Sequence, residues 1–168
     1  MIIDENEAFG KCITILKKIG ITVHFTEISA GALLPGFEIR KGVLYINRET
    51  MLFPGDVLHE AGHIAVVPPL ERALLENDNI GMRENREAEE MMAIAWSYAA
   101  CLHLQIDPHF VFHDKGYKGG GSSLVENFTN KRYIGLPMLQ WIGLAADEER
   151  AATLNILPYP NMIKWIRE

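Results

Sequence analysis

Cysteine is scarce in this chain: Cys12 and Cys101 are the only two in 168 residues. They are far apart, so neither a CxxC redox pair nor a cysteine-based zinc site is available, and both fall in predicted helices as small buried apolar residues. Positive charge is in deficit as well. Sixteen Lys and Arg stand against 22 Asp and Glu, a formal net charge of −6, with no Lys/Arg block. That balance argues against a dedicated nucleic-acid binder. The opening stretch MIIDENEAFGKC carries acids where a signal peptide needs bases. Long apolar runs are missing too: the longest weakly polar stretch, Met91–Leu102, is broken by Ser97 and Tyr98 and is too short to span a bilayer. No membrane partner is expected, and the chain reads as a cytoplasmic protein. There is no internal repeat and no low-complexity tail. At 168 residues and 48% hydrophobic, residues 1–168 suit one domain whose core needs no disulfide.

What the chain does have is Asp56–Val67, DVLHEAGHIAVV, which contains His59-Glu60-Ala61-Gly62-His63, an HExxH pattern. On a helix, residues four apart share a face, so His59 and His63 can offer both imidazoles to one metal ion. Glu60 follows the first ligand directly and can reach a metal-bound water. Zinc suits such a set because it accepts nitrogen and carboxylate ligands and keeps an open position in catalytic sites. With 6 His and 16 Glu in the chain, chance alone gives an HExxH in about one such sequence in fifty. Context therefore decides. Val57, Leu58, Ala61, Ile64, Ala65, Val66 and Val67 leave His59, Glu60 and His63 as the polar residues of a segment with the composition of a core helix. Burying those groups without partners would cost several kcal/mol, a cost a metal and its water remove. The plainer reading is a core helix with two hydrogen-bonded histidines.

Around this segment the periodicities predict a helix over Asp4–Lys18, capped by Asp4 and stopped at Gly20, then a half-covered strand over Ile21–Ile28 with His24 facing solvent. Ser29–Gly36 reads as a loop. Phe37–Asn47 reads as a hairpin turning at Arg40-Lys41-Gly42. Pro54 suits the first turn of the HExxH helix, and Pro68-Pro69 ends it. A short helical turn, LERALLEN, and a polar linker at Asp78–Gly81 lead to Arg83–Gln105, a helix charged at its start and apolar on every face thereafter. Such a helix belongs at the centre of the domain, beside the HExxH helix. Lys115–Ser123, with four glycines, lacks the P-loop pattern and reads as a flexible surface loop rather than a flap over a cleft. Tyr133–Leu144 and Met162–Arg167 are predicted as short helices. The fold class expected is α+β: mainly helical, with a small N-terminal antiparallel or mixed sheet beside the HExxH helix.

Two histidines rarely hold a catalytic zinc alone. A third His on the same segment would need Gly at 66 and His at 69, where Val66 and Pro69 stand. A Glu from a second helix is the alternative, and Glu84, Glu87, Glu89 and Glu90 are the candidates. Glu84 and Glu87 sit in the first turns, where acids are usual. Glu89 points away from Glu87 and Glu90 on a helical wheel. Glu90, the last acid before the apolar run, has the strongest need of a buried partner, and it is favoured over Glu87. As plain surface acids, these residues would form the pairs Arg83–Glu87 and Arg86–Glu90.

HEAGH on a helix, preceded by helix, strand and hairpin and followed by a Glu on an Ala-rich helix, resembles the zincin metallopeptidases of the Glu-ligand group. The order of elements is most similar to the ImmA/IrrE-like bacterial family: VLYIN precedes HEAGH, and Glu90 is followed by Ala93, Trp96 and Ser97. The resemblance covers roughly residues 1–108, and Ile94 stands where the family's Asn usually follows its ligand Glu. It implies a zincin-like fold, with His59, His63 and Glu90 as zinc ligands and Glu60 as general base. The function expected is a zinc-dependent hydrolase, a small metallopeptidase acting on a peptide or protein substrate. Zinc would acidify its bound water and polarise the scissile carbonyl, while Glu60 moves the proton. Tyr98, His103, His109, His113 and Tyr117 are the candidate oxyanion helpers. The alternative is a non-catalytic regulatory or partner-binding domain that keeps the zincin fold and its metal.

Overall fold

The computed structural model describes residues 4–28 and 34–168. The chain forms an α+β fold, mainly helical, with one three-stranded mixed sheet near its start. Helix α1, Glu5–Lys18, buries Ala8, Phe9, Cys12, Ile13, Ile15 and Leu16 along one stripe. Asp4 occupies the capping position without a capping hydrogen bond, and Gly20, at φ +90°, turns the chain out. Strand β1 is Val23–Phe25 alone, because its parallel pairing with β3, Val43–Ile46, extends only across Leu44–Ile46. His24 is exposed there, as expected. Strand β2, Phe37–Arg40, pairs antiparallel with β3. Lys41 and Gly42 between them have φ of 50° and 71°, the two positive values a two-residue hairpin turn needs to match strand twist. The loop expected over Ser29–Gly36 lies, for residues 29–33, outside the described residues.

Helix α2, Asp56–Val66, is buried at every residue except His59, which is partly open. Pro54 does not enter the helix. It lies in the preceding turn, where the Asp56 N–H donates to the Phe53 carbonyl at 3.1 Å. After α3, Pro69–Arg72, the expected polar linker is instead a helical turn, α4, Asn77–Ile80, closed by reciprocal bonds between Glu76 and Asn79. Helix α5, Arg86–Leu104, then runs along α2, and that is the main helix–helix contact of the fold. Two short residues set the closeness. A methyl group at Gly62 would lie 3.0–3.2 Å from Ala93, and the Ser97 hydroxyl donates to the carbonyls of Leu58 (3.2 Å) and Ala93 (2.7 Å).

Beyond α5 come α6, Gly121–Thr129, α7, Leu136–Trp141, and α8, Glu148–Leu154. Helix α7 matches the expected Tyr133–Leu144 helix, whereas α8 had no counterpart. The expected helix at Met162–Arg167 is absent. That tail gives its backbone to the body instead: Trp96 Nε1 donates to the Trp165 carbonyl at 2.9 Å, Arg72 Nη2 donates to the Arg167 carbonyl at 2.7 Å, and the Arg167 N–H donates to Ala65 at 2.8 Å. The Gly-rich segment is not a loose loop either. Residues 121–123 begin α6, and residues 115–118 line the main cleft. Among the described residues no helix is long and apolar enough to cross a membrane.

Gly55, just ahead of α2, lies against the turn Pro108–Phe110, and a methyl group there would collide with the Phe110 carbonyl oxygen. Gly55→Ala is therefore expected to lower stability by about 1–3 kcal/mol, because neither backbone can give way freely. Thermal unfolding of the variant checks this, and a melting temperature at or above wild type would refute the contact.

Candidate metal centre

One turn of α2 brings the His59 and His63 rings onto the same face, with their Nε2 atoms 3.2 Å apart. Helix α5 sends Glu90 across from the opposite side. Its Oε1 lies 3.6 Å from His59 Nε2, and its Oε2 lies 3.3 Å from His63 Nε2. A ligand atom from each of these residues lies within 4.8 Å of the others. Glu87 is exposed and stays out of this group.

Glu89 has a different fate from its neighbour. It is 5% exposed, and Arg83 grips it with Nε (2.6 Å) and Nη2 (2.9 Å) while also reaching Glu71 at 2.6 Å. The pairs Arg83–Glu87 and Arg86–Glu90 are therefore not formed; Arg86 donates to the Gly81 carbonyl instead. A helical wheel could not locate Glu89's partner, because Arg83 lies before the helix begins.

The donor set fits a metal. Two imidazole nitrogens facing each other at 3.2 Å can share at most one proton, and a carboxylate completes a nitrogen–nitrogen–oxygen set of the kind zinc accepts. Burial holds both histidines neutral, as a ligand must be. His59 is pushed well below its ordinary pKa by desolvation and by His63. Desolvation takes His63 down to about 4, against an opposing pull from Glu89.

Beside this group, Glu60 is buried, and its pKa rises to about 8 through desolvation first and then the Asp56 and Glu90 carboxylates. Asp56 lies one helical turn before Glu60 and is itself 6% exposed. It accepts a hydrogen bond from His113 Nε2 at 3.0 Å, and the His113 ring stacks on Phe53 at 3.8 Å. Asp56 was not among the sequence candidates. Its position four residues before Glu60, at the head of the apolar run, was the available signal.

These residues share a cleft of about 550 Å³ whose lining includes Leu34, Leu52, Phe53, Ile80, Lys115 and Tyr117. Of the five candidate helpers, only His113 and Tyr117 line it. Tyr98 is buried against Phe128 (4.6 Å between ring centres), His103 sits by Trp165 (5.1 Å), and His109 is bonded to Asp107 at 2.9 Å. No protein-family model, curated protein or solved structure matches the chain.

Purified protein is expected to hold about one zinc per chain, and His59→Ala or His63→Ala should each abolish tight binding. Glu90→Gln should weaken zinc by orders of magnitude, whereas Glu87→Gln, at an exposed position, should change stability by a few tenths of a kcal/mol at most. Elemental analysis after dialysis reads all four variants. Metal retained by Glu90→Gln and lost from Glu87→Gln would overturn the assignment.

Glu60 gives a pH signature in metal-free protein. Its native-state pKa of about 8 lies above the unfolded value near 4.5, so the unfolded chain releases that proton first as pH rises. The contribution of this group is full below 4.5 and is lost as pH climbs to about 8, by up to about 1.4 kcal/mol per pH unit. The melting temperature of Glu60→Gln relative to wild type should therefore rise steadily between pH 5 and pH 8. A constant difference would mean that Glu60 is ionised in the fold.

Proposed function

We propose that this chain is a zinc-dependent hydrolase with a zincin-like fold, a small metallopeptidase similar to the ImmA/IrrE-like family. The observation that carries the reading is Glu60: a buried carboxyl in the cleft beside His59, His63 and Glu90 but outside that donor set. A purely structural metal site has no use for it. The order of helix, strand, hairpin, HExxH helix and Glu-bearing helix supports the likeness.

In this reading His59, His63 and Glu90 hold the ion. When bound, zinc supplies a Lewis acid and two positive charges, which acidify water, polarise a carbonyl and favour the ionised form of Glu60. Glu60 takes the proton from the attacking water and returns it to the departing amine. Asp56, one turn away and bonded to His113, helps raise the pKa of Glu60 and so strengthens it as a proton acceptor. The apolar wall of Leu34, Leu52, Phe53 and Ile80 suits side chains of an extended peptide, and about 550 Å³ is a usual volume for a ligand cleft.

Glu60→Gln keeps the shape of the side chain and cannot accept the proton. It should retain zinc and fold while losing hydrolytic rate by roughly two to four orders of magnitude. Wild type and variant are compared on a mixed peptide library, with zinc measured in both. Equal cleavage would eliminate the mechanism, and silence from both would favour a binding domain that keeps the metal.

A further inference from the structure

The reaction above leaves two cations of the cleft without a task. Lys115 and Lys118 both line it, and both are exposed, so a molecule entering the cleft can reach them. Exposed lysines are ordinary on a surface; these two stand in a concave site of a chain with only 16 Lys and Arg against 22 Asp and Glu. Among the described residues, Lys11, Lys131 and Lys164 pair with Glu7, Glu148 and Glu168, whereas Lys115 and Lys118 pair with no carboxylate. The acids nearby are engaged elsewhere. Asp114 accepts a hydrogen bond from Ser122 at 3.3 Å, Asp56 accepts from His113 at 3.0 Å, and Glu90 faces the two imidazoles.

The backbone that carries the two lysines is pinned. The Gly116 N–H donates to the His113 carbonyl at 3.1 Å, and the Gly120 N–H donates to the Tyr117 carbonyl at 2.9 Å. Between them the Tyr117 ring stands edge-on to His59, with ring centres 5.5 Å apart, which ties the segment to the donor group. A methyl group at Gly121 would collide with the Phe112 carbonyl oxygen, so the far end is held as well. Lys118 also lines a second hollow of about 350 Å³ with Ile94, Leu124 and Asn127, so the two hollows adjoin at this cation. A chain lying in the cleft therefore meets apolar lining from Leu34, Leu52, Phe53 and Ile80 and positive charge from residues 115 and 118. Attraction to a carboxylate there strengthens as the bound chain displaces water, and a cationic chain is repelled.

We propose that Lys115 and Lys118 select substrates that carry a carboxylate near the cleaved bond, so that the cleft acts on acidic, partly apolar peptides. This specificity rests on the hydrolase reading and names its substrate class. The carboxylate is an Asp or Glu side chain or the free C-terminus of a peptide, which offer the same charge. The lysines bind and orient; no bond or proton changes at either of them.

Three series of short peptides built from Ala, Leu and Phe test this. One is blocked at both ends and carries a single Glu, the second has Gln in its place, and the third is the Gln series with a free C-terminal carboxylate. Zinc-loaded wild type should prefer a carboxylate series over the blocked Gln series by about tenfold in kcat/KM, chiefly through KM, because the contact is made equally before and during reaction. Preference for the first series assigns a side-chain acid, and preference for the third assigns the C-terminus. Replacing both lysines, Lys115→Gln with Lys118→Gln, should reduce the preference to about twofold or less. Each preference is a ratio within one preparation, so zinc loss or partial unfolding of a variant does not move it. Lys41→Gln removes an exposed lysine outside the cleft lining and should keep the preference. Equal rates on all three series, a preference that survives the double substitution, or one lost equally in Lys41→Gln would each overturn the proposal and leave the hydrolase reading intact. If wild type binds zinc but cleaves none of the series, the hydrolase reading fails. Binding of the same peptides carrying a neutral fluorescent label then decides: a carboxylate preference present in wild type and lost in the double variant supports the lysine site, and equal or absent binding removes it.

Discussion

The close packing of α2 on α5 is the constraint on which the rest of the molecule depends. His59 and His63 face one way from α2 whatever surrounds them, because a four-residue spacing dictates it. Whether Glu90 can meet both rings depends on how near the second helix lies. Gly62 stands three residues after His59, and its partner Ala93 stands three residues after Glu90. The glycine contact therefore falls about one turn from the donor group and fixes the separation there. Ser97 continues the seam by bonding to Leu58 across it, and buried Ala95, Ala99 and Ala100 keep α5 slim beyond. Larger residues along that seam would move Glu90 away without touching any ligand atom.

Glu89 and Glu90 show how partner chemistry separates a carboxylate neutralised inside the protein from one left open to a cation. Both lie at the start of α5, and their surroundings differ in kind. Arg83 satisfies Glu89 with two charge-assisted bonds and ties it to Glu71, so that carboxylate is neutralised inside the protein. Removing Arg83 would strand the buried charge of Glu89, which is a stability role. Among the described residues Glu90 pairs with no guanidinium or ammonium, and its neighbours are two imidazoles that burial keeps neutral. Desolvation raises its pKa, so the carboxylate is left wanting a cation.

Much of the fold and most of the donor group could be read from the sequence, for reasons visible in individual residues. The stripe Ala8–Leu16, the hairpin turn at Lys41-Gly42 and the apolar run after Glu90 are local signals, and each element formed where its pattern lay. Elements whose form is set by distant partners were misread. Met162–Arg167 has a helix-like pattern, yet Trp96, Arg72 and Ala65 claim its backbone groups from up to 102 positions away. The Gly-rich segment looked loose because glycine count says nothing about a tyrosine ring wedged between His59 and Phe112. Asp56 was overlooked for a related reason: its burial is offset by His113, 57 residues further on.

Polar burial is well satisfied elsewhere and fails in one place. Among the described residues, the buried side-chain atoms left without partners are His59 Nδ1, His113 Nδ1 and the Tyr117 hydroxyl, and all three residues line the same cleft. The consecutive left-handed residues Tyr117 and Lys118 lie on its wall. Other departures in the fold are compensated: Glu89 by Arg83, Ser97 by two carbonyls, the Trp96 indole by Trp165. A chain that satisfies its interior generally, and leaves its unmet buried side-chain hydrogen bonds around one group of potential ligands, is locally inconsistent where chemistry would use the inconsistency. Random imperfections would be scattered through the core. Their convergence on one cleft puts the unmet hydrogen bonds beside Glu60, the two histidines and Glu90.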